Sequence, residues 1–324
     1  MKKRYWIGGL TAIAATSAIA AKLLLRPRDV DWENERSHVF HADHSRFTEV
    51  DGVRVHYQEA GPANAPVMLL IHGFASSNLV WSKVFLELAD AGFRVIAPDL
   101  LGYGYSEKSK ELDYTITRQA QMISDLMQQL KIESAIVVGS SYGGAVAATI
   151  ALDRPELVEK LILVGAVTNN RPTRYMLMRL FGSPIIGDIL SPLLVGSRRL
   201  LRRRMKRVYD RHSWELDERR VDARHIPLRT RGAHRAIIRT VRRWDAERVS
   251  RDAHLMTRPT LIVWGENDRE VSVEDGRRIH AQIPGSRLMI FQECGHLPHE
   301  EYPEEFTKLI TEFCSIECDE LRSF

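Results

Sequence analysis

A chain of 324 residues with 44% hydrophobic and 27% charged residues has the balance of a globular protein, which excludes wholesale disorder. Its three cysteines, Cys294, Cys314 and Cys318, are too few and odd in number for a disulfide framework, and no C-x-x-C pair points to zinc. The formal net charge of +4 hides a segregation: between Arg171 and Arg251 stand 22 Lys and Arg against 8 Asp and Glu, so this stretch carries +14 and the remainder −10.

The chain opens with "MKKR" and then "YWIGGLTAIAATSAIAA", residues 5–21, with no charge until Lys22, followed by three leucines and Arg26. A basic start and an apolar stretch are a membrane-targeting pattern. A cleaved signal would be cut near Ala18-Ile19-Ala20, whereas an anchor of about 20 residues is reached only if Lys22 snorkels and Leu23 to Leu25 count. Residues 1–28 are therefore read as an N-terminal membrane anchor or signal segment, and the protein as membrane-associated, or exported if that segment is removed. Lys2, Lys3 and Arg4 favour a cytoplasmic N-terminus, but Lys22, Arg26 and Arg28 on the other flank weaken the bias.

A polar linker at residues 27–44 leads to "RFTEVDGVRVHYQEAG", two short strands joined at Asp51-Gly52, a hairpin signal. "PVMLLIHG" is a continuous apolar run of the kind buried on both faces of a parallel sheet. Helix-like and strand-like segments then alternate: "WSKVFLELADAG" and "FRVIAPDL", "ITRQAQMISDLMQQLK" and "SAIVVGS", "GGAVAATIALDRP" and "KLILVGA". After a helical stretch of roughly 90 residues the alternation resumes with "TLIVWGEND", "VEDGRRIHAQI", "SRLMIFQECGH" and "PEEFTKLITEFCSI". This order predicts an α/β fold with a mainly parallel, doubly wound sheet and chemistry at the strands' carboxyl ends. The predicted boundaries are a first core part at 45–166, an inserted helical cap at 167–256 and a second core part at 257–324.

Between "SAIVVGS" and the following helix, Gly139-Ser140-Ser141-Tyr142-Gly143 has the form G-x-S-x-G. A nucleophile at such a turn projects its oxygen above the sheet, and flanking glycines are needed where a Cβ would strike a neighbouring strand or helix. Ser141 is the central serine, and Ser140 is expected to be a packing or hydrogen-bonding neighbour. A serine hydroxyl needs a base to take its proton and a carboxylate to orient that base. Asp268 lies just beyond "TLIVWG" and His296 just beyond "SRLMIFQ". Glu266 and Asp252 are competing acids, but Asp268 holds the better position in "WGENDREV". "HLPHE" at 296–300 lacks the H-E-x-x-H spacing of a metal site, so His299 and Glu300 are expected to cap a helix or face solvent, and no metal is predicted.

With "GSSYGG", the stretches "LLIHGF" at 69–74, "PDLLGYGYS" at 98–106, "PTLIVWGENDREV" and "GHLPHEEYPEEF" make the chain resemble the α/β-hydrolase superfamily over about residues 45–165 and 257–316. The resemblance implies the α/β-hydrolase fold, a Ser141, Asp268 and His296 triad, and an oxyanion hole formed by the backbone N–H groups of Phe74 and Tyr142. It also makes Asp99 a loop-bracing residue and places Tyr103 and Tyr105 at the border of the site, in substrate contact or in packing. His72 is read as holding the oxyanion loop. No cofactor is implied, since nucleophile, base and oxyanion donors all come from the polypeptide.

A serine in place of aspartate argues against alkyl-ester chemistry and for acyl transfer to water. The apolar run "YMLMRLFGSPIIGDILSPLLV" at 175–195 is suited to covering an acyl chain, and "SRRLLRRRMKRVY" has the arginine-plus-leucine character of an interfacial helix. The expected activity is hydrolysis of carboxylic esters, with lipid-like acyl esters as substrate class and association with an anionic membrane. This architecture is similar to that of membrane-anchored monoacylglycerol lipases. The alternatives are serine-triad hydrolysis of a carbon–carbon bond in a ring-cleavage product or of a peptide bond. No nucleic-acid-binding module is present, so nucleic acid is not an expected partner.

Overall fold

The computed structural model describes residues 32–170, 182–183, 195–210 and 216–315. The predicted anchor or signal segment at 1–28 and nearly all of the apolar run at 175–195 lie outside these residues. Among the described residues, no helix is long and apolar enough to cross a membrane.

Eight strands form one sheet: β1 (Ser45–Val50), β2 (Val53–Ala60), β3 (Val67–Ile71), β4 (Arg94–Pro98), β5 (Ala135–Ser140), β6 (Val158–Val164), β7 (Thr260–Gly265) and β8 (Arg287–Phe291), in the spatial order β1-β2-β4-β3-β5-β6-β7-β8. β2 runs antiparallel to β1 and β4, and the other pairs are parallel. The β1–β2 turn has both Asp51 (φ 50°) and Gly52 (φ 71°) in the left-handed region, the primed geometry that matches strand twist and that Asp-Gly favours.

Among the described residues, after the four-residue helix Trp32–Glu35, the helices are α1 (Phe85–Asp90), α2 (Ile116–Gln129), α3 (Tyr142–Asp153), α4 (Arg198–Val208), α5 (Glu218–Leu228), α6 (Ala233–Arg242), α7 (Glu247–Arg251), α8 (Val273–Gln282), α9 (Pro298–Glu301) and α10 (Pro303–Ser315). The period-two alternation of the strands sends successive side chains to opposite faces of the sheet. Leu69, Val137, Leu163 and Trp264 join the side packed by α2, α3 and α8. Leu70, Val138, Ile162 and Val263 join Phe85 and Leu88 of α1 and Phe306, Ile310 and Phe313 of α10 on the other. Both faces are thus covered, which is why the inner strands are continuous apolar runs. In α2 the buried Ile116, Ala120, Ile123 and Met127 recur at three- and four-residue spacing, and the Thr115 hydroxyl caps the helix by accepting from Arg118 N–H at 3.2 Å.

From β3 the chain moves outward to β4 and then returns past β3 to β5. The carboxyl ends of β3 and β5 therefore flank the point where strand order reverses, the place where doubly wound sheets bind their ligands. Helices α4 to α7 all lie between β6 and β7 in the chain, and Leu201, Met205, Val221 and Ile237 pack onto the α2–α3 side of the core. Residues 32–44 are more than a linker. They form short helical turns, and the Trp32 ring meets those of Phe47 (5.1 Å) and Tyr105 (5.3 Å) edge-on.

Candidate active site

Ser141 stands between β5 and α3 at φ 56°, ψ −118°, a conformation that side-chain-bearing residues rarely adopt. The sharp turn is possible because its flanks are bare. A Cβ on Gly139 would lie 2.3 Å from Gly143 O, and one on Gly143 would lie 2.3 Å from Ile71 O. Ser141 N–H donates to Val164 O at 2.9 Å, which ties the turn to the end of β6. The next residue, Gly165, lies against the imidazole of His296: a Cβ there would sit 3.1 Å from Nδ1 and 3.2 Å from Cε1. Ser141 and His296 therefore flank the same two residues at the carboxyl end of β6.

The His296 Nδ1 and Asp268 Oδ2 atoms are 2.7 Å apart, with the Asp268 side chain fully buried. The other Asp268 oxygen accepts from the backbone N–H groups of Glu270 (2.8 Å) and Val271 (2.9 Å), so the carboxylate is held on both sides. Burial by itself would lower the His296 pKa, but the charge and hydrogen bond of Asp268 outweigh it and the value is raised. The competing acids are engaged elsewhere: Glu266 accepts from Glu293 N–H, and Asp252 pairs with Arg248 and Arg251.

Phe74 follows β3, and its neighbour Gly73 faces the serine, since a Cβ on Gly73 would lie 3.0 Å from Ser141 Cβ. Tyr142 begins α3, and the Phe74 and Tyr142 rings are 6.4 Å apart. Neither backbone N–H has an acceptor among the described residues. His72 braces this loop. Its Nε2 accepts from Leu100 N–H at 3.0 Å, which fixes the proton on Nδ1, where it donates to Gly73 O at 2.8 Å. Burial pushes its pKa down, so it stays neutral.

Asp99 is fully buried and accepts from Asn78 N–H (2.8 Å), Tyr105 N–H (2.8 Å) and the His56 ring (2.7 Å). Burial would raise its pKa, but these partners bring it down to about 2. It ties together the loops that carry Asn78 and Tyr105 and the strand that carries His56. Tyr103 packs rather than projects: its hydroxyl donates to Thr240 Oγ1 of α6 at 2.8 Å, and its ring lies 6.2 Å from that of Phe74. The Tyr105 hydroxyl is buried without a partner among the described residues. The Ser140 hydroxyl is likewise buried without a partner among the described residues, which fits a packing neighbour.

His299 and Glu300 overturn the expectation of a helix-capping or surface role. The His299 side chain is fully buried, stacked on Trp81 at 4.2 Å, and Glu300 is buried in an ion pair with Arg220 of α5 at 2.8 Å. Both are covered by residues distant in the chain, which local sequence does not reveal. Among the described residues, no group of three His, Cys, Asp or Glu could hold a metal ion.

Three residues with a bearing on the site escape sequence reading. Trp244, after α6, places its ring 5.6 Å from Phe74 and 5.1 Å from Tyr142, with its indole N–H buried and without a partner among the described residues. A lone aromatic in the basic run "VRRWDAER" was its one signal. Asp210 and Glu301 hydrogen-bond to the segments that carry Asp268 and His296, and nothing in their spacing marks them.

The alpha/beta hydrolase family model matches residues 68–309. The chain is 31% identical over 272 residues to an uncharacterized hydrolase, YugF, of Bacillus subtilis, covering 83% of this chain and 96% of that protein. It is 30% identical over 273 residues to a 2-hydroxymuconate semialdehyde hydrolase of a Pseudomonas species, covering 81% and 90%. Among solved structures, a bacterial membrane phospholipase A superposes with a TM-score of 0.75 over 99% of this chain and 100% of that one, at 22% identity, a likeness of fold.

Proposed function

The chain belongs to the alpha/beta hydrolase family, and from that footing we propose that it is a serine hydrolase of carboxylic esters with Ser141, His296 and Asp268 as its triad. The 2.7 Å contact between His296 and Asp268, set beside the strained turn of Ser141, carries the reading. Asp268 holds the imidazole with its proton on Nδ1, leaving Nε2 to take the Ser141 proton as Oγ attacks the carbonyl carbon. Charge then builds on the carbonyl oxygen, where the free N–H groups of Phe74 and Tyr142 stabilise it, each such donor being worth about 10² to 10³ in rate. His296 passes the proton to the departing alkoxide, and an acyl-Ser141 ester remains. Water, deprotonated by His296, releases the acid and restores the serine.

In this reading residues 167–256 are a cap over a core built from 45–166 and 257–324, and the substrate is a lipid-like acyl ester. The apolar run at 175–195 and the cationic outer face of α4 support it, together with an N-terminal segment at 1–28 that holds the protein at a membrane or directs its export.

Carbon–carbon hydrolysis is the second reading, favoured by the Pseudomonas relative. A 2-hydroxymuconate semialdehyde has no ester, so a hydrolase can split it only between carbons. The same triad would serve, with a carbanion equivalent as leaving group.

The test is turnover of a p-nitrophenyl ester series from acetyl to long-chain acyl, beside consumption of a coloured ring-cleavage product, by the parent and Ser141→Ala. Medium or long esters should be cleaved fastest, and the substitution should cost at least about 10⁴ in kcat. Inert esters beside a consumed ring-cleavage product would transfer the assignment to the second reading. Undiminished turnover by Ser141→Ala would remove the triad altogether.

A further inference from the structure

The described end of α4 and the three residues around it are stitched to the loops of both the acid and the base. His296 N–H donates to Val208 O at 2.8 Å, and a Cβ on Gly295 would come within 2.4 Å of that same oxygen. Glu301 accepts from Gly295 N–H at 2.7 Å with one oxygen and from Asp210 N–H at 2.9 Å with the other. The Asp210 carboxylate in turn accepts from Asn267 Nδ2 at 2.8 Å and from Arg269 at 3.4 Å, the residues on either side of Asp268. Tyr209, between them, bonds to Glu300, which also pairs with Arg220 of α5 at 2.8 Å. One three-residue stretch from the β6–β7 insertion thus touches the neighbours of Asp268 and of His296 at once.

We propose that residues 208–210 form a clasp that holds the Asp268 and His296 loops in mutual register, with Asp210 and Glu301 as positioning residues. The inference rests on the triad reading above. Neither Asp268 nor His296 sits on a regular element: one follows β7, the other follows β8, and each loop is free to shift against the other unless cross-tied. Asp268 is fixed by Glu270 and Val271 within its own loop, and His296 by Val208. The two loops also meet directly, through Asn267 N–H on Cys294 O at 2.9 Å and Glu293 N–H on Glu266 at 3.4 Å, and the path Asn267–Asp210–Glu301–Gly295 adds a tie through the β6–β7 insertion that ends next to both Asp268 and His296. A corollary is that displacement of α4 reaches His296 directly through Val208.

Because these groups act through the triad and not on substrate, their loss should lower kcat and leave KM alone. Misplacement of reacting groups by about 1 Å costs on the order of 10²-fold. In the full chain, Asp210→Ala should lower kcat on a p-nitrophenyl ester 10- to 100-fold on that same scale, with KM within about twofold. The far-downfield proton resonance of the His296–Asp268 bond should broaden or move upfield. Asp210→Asn, whose amide oxygen can still accept from Asn267, should recover most of the rate, and Glu301→Gln, with one acceptor oxygen fewer, should repeat the loss. A kcat within about threefold of the parent in Asp210→Ala and Glu301→Gln would overturn the clasp. So would a fall in kcat that tracks lost thermal stability while the downfield proton stays unchanged. If Asp210→Ala does not fold, Glu301→Gln and Asp210→Asn decide by the same readouts. Ser141→Ala, assayed alongside, keeps the two failures apart: activity surviving there defeats the hydrolase reading, whereas a failed clasp leaves the dependence on Ser141 intact.

Discussion

His299 gives the sharpest link between burial and a measurable pH response. Its ring lies between Trp81 (centroids 4.2 Å apart) and Phe306 (5.6 Å), with both ring nitrogens buried and without a partner among the described residues. Burial, the dominant cause, pushes its pKa from the ordinary 6.5 to about 3, while the charge of Glu300 opposes the shift. The folded state therefore stays neutral at this position when the unfolded chain takes up a proton. Stability contributed by a histidine with a lowered folded pKa is present at high pH and lost as pH falls below the unfolded value. Between pH 8 and pH 5 the unfolded state binds nearly one proton at this position and the folded state almost none, a loss of about 2 kcal/mol. His299→Phe keeps a ring on Trp81 and removes the titration, so its stability should fall by about 2 kcal/mol less than the parent's over this interval. His72, His225 and His234, whose pKa values burial also lowers, act alike in both proteins and cancel. Urea unfolding at the two pH values measures the difference, whatever packing cost the larger ring brings. An equal acid-induced loss in parent and variant would show that His299 is not a buried neutral imidazole.

Two further outcomes follow from the site and the surface. As the proposed base His296 must be neutral to accept a proton, and its pKa is raised, so the acid limb of kcat/KM should lie above the ordinary histidine value of 6.5. Asp268→Asn should lower kcat by about 10⁴ and move that limb to lower pH, since the Asp268 charge that offsets burial is then gone; an unmoved limb would break the pairing. On α4, Arg199, Arg203, Lys206 and Arg207 face solvent while Leu201 and Met205 point inward. A chain beginning at Asp29 should cosediment with anionic but not zwitterionic vesicles, and replacing the four cations with Gln should weaken binding by up to about a thousandfold at roughly 1 kcal/mol each. Equal binding to both vesicle types would refute the electrostatic reading.

The framework of the sheet was legible because each inner strand carries its own burial signal. "VMLLI", "AIVVGS" and "TLIVWG" are apolar on both faces whatever their neighbours, and Asp51-Gly52 is nearly sufficient for its turn. Ser141 was legible for a related reason: the bare flanks that a strained turn requires are written locally as Gly139 and Gly143. Asp268 and His296 were singled out by their place after strands, whereas their 2.7 Å contact is a property of the fold.

What stayed hidden is burial imposed from far away. "HLPHEEYP" reads as an exposed polar turn, yet Arg220 and Tyr209, about 80 and 91 positions earlier, enclose Glu300, and Trp81 covers His299. The charge of Glu300 is tolerable there because Arg220 meets it with a hydrogen-bonded ion pair, which keeps the carboxyl pKa low despite full burial. The arginine excess between Arg171 and Arg251, which as composition suggests only a basic surface, therefore has two physical fates. Arg220 is drawn inside as the counter-ion of a buried carboxylate beside the His296 loop, while Arg199, Arg203 and Arg207 of α4 face solvent. Composition cannot separate the two, because the difference lies in which carboxylate the fold brings to each guanidinium. Charge reversal at Arg220 should accordingly destabilise the protein, whereas the same change at Arg203 should alter surface binding alone.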